Sequence, residues 1–203
     1  MFAYCFNCPV NYTDIAGTDA IWIQESDSAE GQGHTGLMVQ DEDGNWYYFF
    51  WGPDPEDEAT ADVWKLLMGV PNGAYYVRYI PSGSSQPDLT NTEAVIAAVD
   101  EMFASDPNRN RSSLITGTIY LEGDYQNTHK YIQSLFSDDG ICSEKYYLAG
   151  NNCVQKVMHA LYLSDPRFLP FNFIFIPGRI CPVVIPAVHP NAEYIAVQMR
   201  LVW

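Results

Sequence analysis

The sequence feature that most restricts the fold is a pair of apolar segments joined by a short acidic turn. The segments HTGLMVQ (34–40) and NWYYFFW (45–51) flank the turn DEDG (41–44). Asp-Gly between apolar segments is a strong indication of a β-hairpin, since glycine tolerates the backbone conformation that a tight turn requires. The sequence therefore predicts two antiparallel strands, with His34 at the start of the first.

Further strands and helices are predicted on both sides of this hairpin. Strands are predicted at residues 19–24, 74–80, 114–121 and, in the apolar tail, at 173–176, 183–185 and 194–202. Helices are predicted at 56–69, 90–104, 124–136 and 152–163, with Thr90 as the cap of the second helix and Glu93 completing a capping box. This order of elements predicts an α+β fold in which helices pack on a mainly antiparallel sheet.

Composition and charge exclude several classes of protein. The chain has 203 residues, 47% of them hydrophobic, so it can bury a sizeable core and is not a disordered chain. Its 25 acidic and 10 basic residues give a net charge of −15, which repels nucleic acid and anionic lipid. We expect neither nucleic-acid binding nor a membrane span. No signal peptide is predicted, so the chain is either cytoplasmic or the C-terminal part of a longer protein.

The five cysteines do not suggest a disulfide framework or a metal centre. Cys5 and Cys8 form a C-x-x-C pair, but no second pair follows, and no βαβ pattern typical of a redox site surrounds it. Neither a metal nor another cofactor is therefore expected, and most of the cysteines are interpreted as small buried hydrophobic residues.

Cys153 is the exception, because its position gives a thiol unusual properties. It follows Asn151 and Asn152, two good N-cap residues, and so lies in the first turn of its predicted helix. The partial positive charge and free N–H groups of a helix N-terminus favour a thiolate and stabilise an oxyanion. With His34 as general base on a neighbouring strand, this is the minimal arrangement for acyl-transfer chemistry. The alternative is that Cys153 joins the apolar stripe of its helix, as buried free cysteines commonly do.

The first 18 residues, MFAYCFNCPVNYTDIAGT, resemble the end of the RHS-repeat-associated core, whose usual pattern is FAYCxNNPVNxxDPxG. The chain departs from that pattern at Cys8 and Ile15. The resemblance implies that residues 1–18 are the remnant of a large RHS shell, with Cys5 and Cys8 part of it, and that 19–203 form a C-terminal effector domain. It further implies a larger bacterial protein that is secreted or delivered to a target cell.

Three segments of the remainder resemble the circularly permuted NlpC/P60 (papain-like) domains found in such tails. They are GHTGLMVQDEDGNWYYFFWGP, LEGDYQNTHKYIQSL and YYLAGNNCVQKVMHAL, with the histidine strand first and the cysteine helix last. The resemblance implies a papain-like antiparallel sheet packed by helices, with the nucleophile at a helix N-terminus. Cys153 would then be the nucleophile and His34 the general base, while the place of the tail at 165–203 stays open.

The resemblance also implies a third polar residue, on the strand after the histidine strand, that orients the imidazole. Tyr48 occupies that place if the hairpin is longer than usual by about two residues, although it equally suits a cross-strand packing position. Asn45 and Asp54 are weaker candidates. Asn152 and Gln155, which flank the thiol, are candidates for oxyanion or substrate contacts, with helix capping as the alternative.

These expectations combine into a cysteine-dependent amide hydrolase or acyl transferase, a papain-like cysteine peptidase or amidase acting as the toxin domain of an RHS-type protein. A peptide or protein substrate is expected, and an immunity protein is an expected partner of a bacterial toxin. The alternative is a non-catalytic binding or structural domain of the same fold. The aromatic run at 46–51 keeps that alternative open, since it suits either a two-sided core or an exposed aromatic surface.

Overall fold

The structure, a computed structural model, describes residues 18–26, 33–53, 63–83, 87–148 and 151–168, together with the backbone of 171–176 and 179–186. Within the third of these ranges, side chains are described from residue 65 onward. The segment that resembles the RHS core, with Cys5 and Cys8, lies outside the described residues. So do Asp54 and the predicted strand at 194–202.

A five-stranded antiparallel sheet forms the centre of the fold. Its strands are β1 (Ala20–Glu25), β2 (His34–Gln40), β3 (Trp46–Phe50), β4 (Tyr75–Arg78) and β5 (Gly117–Leu121). Their order across the sheet is β4-β3-β2-β1-β5. The predicted hairpin is confirmed as β2 and β3, with Gly44 at a φ of 78° in the turn. A separate antiparallel pair consists of β6 (Phe171–Ile176) and β7 (Arg179–Pro186).

Four helices are described in addition to these strands. They are α1 (Val63–Met68), α2 (Thr92–Met102), α3 (Gln126–Ser134) and α4 (Cys153–Tyr162). The predicted α+β class with a mainly antiparallel sheet is therefore confirmed. In the part of the chain that the structure describes, no helix is long and apolar enough to cross a membrane.

Both faces of the central sheet are buried, because strand residues alternate between two apolar clusters. Leu37 and Phe49 belong to the cluster that includes α3 and α4, which we call the α4 face. Met38 and Tyr48 belong to the cluster that includes α2, which we call the α2 face. The aromatic run of the hairpin is therefore a two-sided core, in which Tyr47 is half-buried and its aromatic neighbours are buried. Of the two interpretations of this aromatic run, the structure therefore supports the core and not the exposed surface.

Helix α2 begins two residues later than predicted, because a different side chain caps it. Its N-cap is Asn91, whose side chain accepts a hydrogen bond from the Ala94 N–H at 2.9 Å. The prediction of Thr90 as the cap is wrong, since the Thr90 hydroxyl donates to Asp88 at 2.7 Å instead.

Two other element boundaries also differ from the prediction. The capping box with Glu93 is wrong, because the shifted start puts Ala94 at the position that such a box requires. The strand predicted from residue 114 begins at Gly117, because a single turn of 3₁₀ helix occupies Ser112–Leu114. Of the helix predicted at 56–69, the described part is α1, and its first residues lie outside the described ranges.

Asn91→Ala is expected to lower the free energy of unfolding by about 1 kcal/mol, because it removes the side-chain acceptor at the start of α2. Thr90→Ala is the matched control and is expected to lower it much less, since the Thr90 hydroxyl contacts an exposed loop residue. Urea denaturation followed by circular dichroism measures both variants. Equal losses would contradict the assignment of Asn91 as the cap.

Candidate functional site

Helix α4 begins at Cys153 because the two residues that flank its first turn cap each other. The Asn152 side chain accepts a hydrogen bond from the Gln155 backbone N–H at 2.9 Å, and the Gln155 side chain accepts one from the Asn152 N–H at 3.3 Å. Asn152 also donates to the carbonyl of Leu148 at 2.9 Å. This reciprocal cap determines where the helix starts, so the thiol lies at its N-terminus.

The sulfur of Cys153 is surrounded by backbone N–H groups. The N–H groups of Thr35 in β2 and of Val154 in α4 lie close enough to the sulfur to lower the pKa of the thiol, against the larger effect of burial. Thr35 directly follows His34, and α4 packs on the face of β2 that carries Leu37. The fold thus brings a thiol at the start of α4 close to the first residues of β2, the strand that begins with His34.

The imidazole of His34 packs against an aromatic ring and leaves one nitrogen unpaired. Its ring stacks on that of Phe50, with the centroids 4.6 Å apart. Its Nε2 atom is buried and has no hydrogen-bond partner among the described residues. A buried polar atom without a partner costs about 1–3 kcal/mol, and such atoms in native proteins often belong to functional groups.

Gly52 makes the packing of this imidazole possible. A Cβ atom at position 52 would lie 2.6 Å from the Phe50 ring and 3.6 Å from Cε1 of His34. Any other residue at this position would therefore displace the Phe50 ring. Glycine is therefore required at position 52 because there is no space for a side chain, and its role is not limited to ending β3.

Cys153 and His34 approach the start of β2 from opposite faces of the sheet. Cys153 belongs to the cluster on the α4 face. Strand alternation puts His34 on the α2 face with Met38, where its ring contacts Phe50. The structure therefore brings the thiol to the backbone of Thr35, whereas within the described residues no hydrogen bond joins the sulfur to Nε2 of His34.

Burial keeps both candidate groups neutral in this conformation. It raises the pKa of the Cys153 thiol to about 11, although the N–H groups of Thr35 and Val154 act in the opposite direction. Burial also lowers the pKa of His34 well below its ordinary value, and the positive charge of Arg111 lowers it further. With the two residues 3% and 7% exposed, the pair rests as a thiol and an uncharged imidazole.

Tyr48 lies on the same face of the sheet as His34, but its hydroxyl is directed elsewhere. The register of β2 and β3 pairs Tyr48 with Met38, well along the strand from His34. The Tyr48 hydroxyl lies 3.5 Å from Oε1 of Glu25, to which it donates. The orienting role of Tyr48 stays a prediction. The described partner of its hydroxyl is the Glu25 carboxylate and not the imidazole of His34.

The remaining candidates have structural partners. Asn45 donates to the carboxylate of Asp41 in the hairpin turn, at the end of β3 that lies away from His34. Asn152 and Gln155 form the reciprocal cap of α4, which is the alternative role that the sequence left open. Oxyanion or substrate contacts of these two side chains stay a prediction.

A buried ion pair that no sequence pattern indicated lies beside His34. Glu25 is fully buried, and its Oε2 atom accepts a hydrogen bond from Nε of Arg111 at 2.8 Å and forms an ion pair with Nη2 at 2.7 Å. The guanidinium of Arg111 also lies over the Phe50 ring, 5.0 Å from its centroid. Glu25 begins a polar, glycine-rich segment of the sequence, which is typical of a linker, so its burial could be found only from the strand register.

A second buried charge anchors the start of α4. The Nζ atom of Lys156 lies 2.7 Å from the Glu144 carboxylate and 4.2 Å from the centroid of the Trp51 ring. The indole N–H of Trp51 donates to the carbonyl of Asn151 at 3.0 Å. The end of β3 is thereby tied to the residues just before Cys153, which holds the thiol against the sheet.

No protein-family model, curated protein or solved structure matches the chain. Within the described ranges, no group of three His, Cys, Asp or Glu side chains is arranged to hold a metal ion. Membership of the RHS-associated and NlpC/P60 families therefore stays a prediction that depends on the sequence motifs.

The buried imidazole of His34 is expected to make the protein less stable as the pH falls below about 6.5. Because the pKa of His34 is lowered in the folded state, the unfolded chain takes up a proton in this range and the folded chain does not. Such a group removes up to about 1.4 kcal/mol of unfolding free energy per pH unit. His34→Gln is therefore expected to flatten the fall in stability between about pH 7.5 and about pH 5, measured by urea denaturation.

His159→Gln is the matched control for this measurement. His159 lies at the surface, and burial lowers its pKa less than that of His34. Its replacement is expected to flatten the curve less. A His34→Gln variant that loses stability as steeply as the parent would contradict a buried, uncharged imidazole at this position.

Proposed function

We propose that the chain is a cysteine-dependent amide hydrolase or acyl transferase of papain-like fold, with Cys153 as nucleophile and His34 as general base. The observation that carries the proposal is made where α4 contacts β2. There the N–H of Thr35 lies close enough to the Cys153 sulfur to lower the pKa of the thiol, and the preceding residue, His34, has a buried Nε2 with no hydrogen-bond partner among the described residues. A thiol at a helix start and an unpaired imidazole nitrogen are the two groups that thiol acyl chemistry requires.

The thiol and the imidazole lie on opposite faces of the sheet in the described conformation, so the proposed reaction begins with a rearrangement that brings them together and lets the Cys153 thiol proton pass to His34. The thiolate then attacks the carbonyl carbon of the substrate, and backbone N–H groups at the start of α4 stabilise the oxyanion. The C–N bond breaks as the imidazolium returns the proton to the leaving amine, which leaves a thioester on Cys153. Attack by water releases an acid in hydrolysis, and attack by an acceptor amine or alcohol releases the product in transfer.

Under this proposal the described conformation is a closed resting state. A substrate carbonyl reaches the sulfur only after the residues that cover the contact between α4 and β2 have separated. Burial is the largest cause that opposes the thiolate of Cys153 and the imidazolium of His34. Opening would reduce this desolvation, so the same movement that admits a substrate also favours the reactive ion pair.

The proposed setting is the one that the sequence motifs imply, the C-terminal effector domain of an RHS-type bacterial protein that is secreted or delivered to a target cell. The net charge of −15 disfavours attraction to anionic cell-wall polymers, and so favours an amide in a peptide or protein as the substrate. A cell that produces such an effector needs an inhibitory partner, which is the expected immunity protein.

A non-catalytic binding or structural domain is the second candidate, and the burial of the thiol favours it. With a pKa of about 11, the Cys153 thiol is almost entirely protonated near neutral pH in the described conformation. On this alternative, Cys153 is one more apolar residue of the α4 face. The two candidates differ in the reactivity of the thiol in solution.

Cys153 is expected to react with iodoacetamide well below about pH 8.5, where an ordinary thiol is still protonated, because His34 takes its proton. His34→Gln is expected to slow this reaction by about tenfold or more near neutral pH. The half-buried thiol of Cys142 is the control in the same chain, and its rate is expected to stay unchanged in the variant. Peptide mass spectrometry measures both rates across the pH range. If Cys153 and Cys142 share one pH dependence, the non-catalytic alternative is correct.

Cys153→Ala is expected to abolish the growth inhibition that the chain causes when it is produced in a bacterial host, since no thioester forms without the sulfur. Cys142→Ala, which removes a half-buried thiol elsewhere, is expected to keep the full effect. Growth curves with parallel measurement of protein level separate lost chemistry from lost protein. Full inhibition by the Cys153→Ala protein would overturn the enzymatic proposal.

A further inference from the structure

We infer that Glu25 is the carboxylate that compensates the positive charge of His34 when its imidazole is protonated, with Arg111 as the counter-ion of Glu25. The inference rests on the proposed function and assigns the third member of that site. The register of β1 and β2 places the Cα atom of Glu25 directly opposite that of His34. Side chains at paired positions of an antiparallel ladder project to the same face, with Cβ atoms about 5 Å apart. The Glu25 and His34 side chains therefore lie at neighbouring positions on the α2 face.

Burial gives this carboxylate an influence that a surface carboxylate lacks. Glu25 is 0% exposed, and in such a place the field of a charge is little weakened by water. Arg111 provides the pairing that a buried charge requires, through a hydrogen bond from Nε to Oε2 at 2.8 Å and an ion-pair distance of 2.7 Å from Nη2. A buried ion pair adds little net stability compared with apolar residues of the same size. Its presence opposite a buried histidine therefore indicates a role other than stability.

Both members of the Glu25–Arg111 ion pair lie near His34, and a different structural contact places each of them there. Glu25 is adjacent through the strand pairing. Arg111 is adjacent through Phe50, whose ring stacks on His34 and also carries the guanidinium, with centroid distances of 4.6 and 5.0 Å. In addition to the effect of burial, the Arg111 charge lowers the pKa of His34 and the Glu25 charge raises that of Cys153. Each member of the proposed catalytic pair thus experiences one member of the ion pair.

The ion pair is suited to control proton transfer from Cys153 to His34. The transfer creates an imidazolium, which the negative charge of Glu25 stabilises and the positive charge of Arg111 destabilises. Tyr48 is uncharged and does not provide this compensation, but its hydroxyl donates to Glu25 at 3.5 Å and so helps to hold the carboxylate. Arg111 is the charged group that acts on His34. The titratable and charged groups that in turn face the Glu25–Arg111 ion pair are Tyr48 from β3, Tyr75 from β4 and, for Glu25, Cys153 from α4.

The test is the pKa of His34, measured by NMR titration in variants that remove one charge at a time. Glu25→Gln keeps the shape of the side chain and leaves Arg111 beside the imidazole, so the pKa of His34 is expected to fall by about one unit or more. Arg111→Met keeps an apolar contact with Phe50 and leaves the carboxylate, so the pKa is expected to rise by about as much. The resonance of His34 is the one that disappears in His34→Gln.

Opposite shifts in the two variants would support the inference. An ion pair with a purely structural role would lower the stability in both variants without moving the pKa of His34 in opposite directions. Tyr48→Phe is the control, because it removes a hydroxyl next to Glu25 and keeps both charges, and it is expected to move the pKa little. Shifts in the same direction, or no shift in either charge variant, would overturn the inference.

A further variant keeps the test decisive if Glu25→Gln alone fails to fold. The double variant Glu25→Gln/Arg111→Met contains no unpaired buried charge, so it is the fair reference for Arg111→Met. The pKa of His34 is expected to be higher by about one unit or more in the single variant, which keeps the carboxylate. Equal values in the two proteins would overturn the role of Glu25.

The proposed function and this inference can fail separately. The reactivity of Cys153 with iodoacetamide in the unaltered chain decides the proposed function. The pKa of His34 in the charge variants decides the role of Glu25. Where Cys153 is reactive, Glu25→Gln is also expected to move the pH dependence of its alkylation, and an unchanged profile would contradict the role assigned to Glu25.

Discussion

The approach of the Cys153 sulfur to the backbone of Thr35 determines where the thiol lies relative to β2. It depends on two elements whose starts are set independently. The reciprocal cap of Asn152 and Gln155 determines where α4 begins, and the hairpin with β3 determines where β2 lies. A helix start shifted by one residue would turn the thiol by about 100° around the helix axis. A strand register shifted by one residue would move every side chain of β2 to the opposite face of the sheet.

Buried charges lie on both sides of this contact, and each is paired with an aromatic ring. Arg111, which pairs with Glu25, lies over Phe50 on the α2 face, and Lys156 lies over Trp51 next to the start of α4. Because consecutive strand residues project to opposite faces, two adjacent aromatic residues at the end of β3 contact one cation each. The rings exclude water from the charges, so electrostatic interactions around the thiol and the imidazole are stronger than they would be at the surface.

The sequence predicted those parts of the fold and site that local chemistry determines. The Asp-Gly turn predicted the hairpin, and the tandem asparagines predicted the start of α4. The cap of α2 was missed because Thr90 and Asn91 are both good caps, and the choice depends on Asp88, which takes the Thr90 hydroxyl. Glu25 was missed for a related reason: its burial depends on a partner 86 positions away in the sequence. The catalytic roles of the thiol and the imidazole stay predictions, since they depend on an opening of the structure.

The order of the elements along the chain also governs when the site can form during protein synthesis. The hairpin emerges from the ribosome well before α4, and the contact from Trp51 to the carbonyl just before α4 spans 100 positions. Such non-local contacts form slowly, because a long loop must close before they bring any gain. A partly translated chain therefore contains the histidine and its charged neighbours but no sulfur to activate. Both residues of the pair are present only after translation has passed position 153.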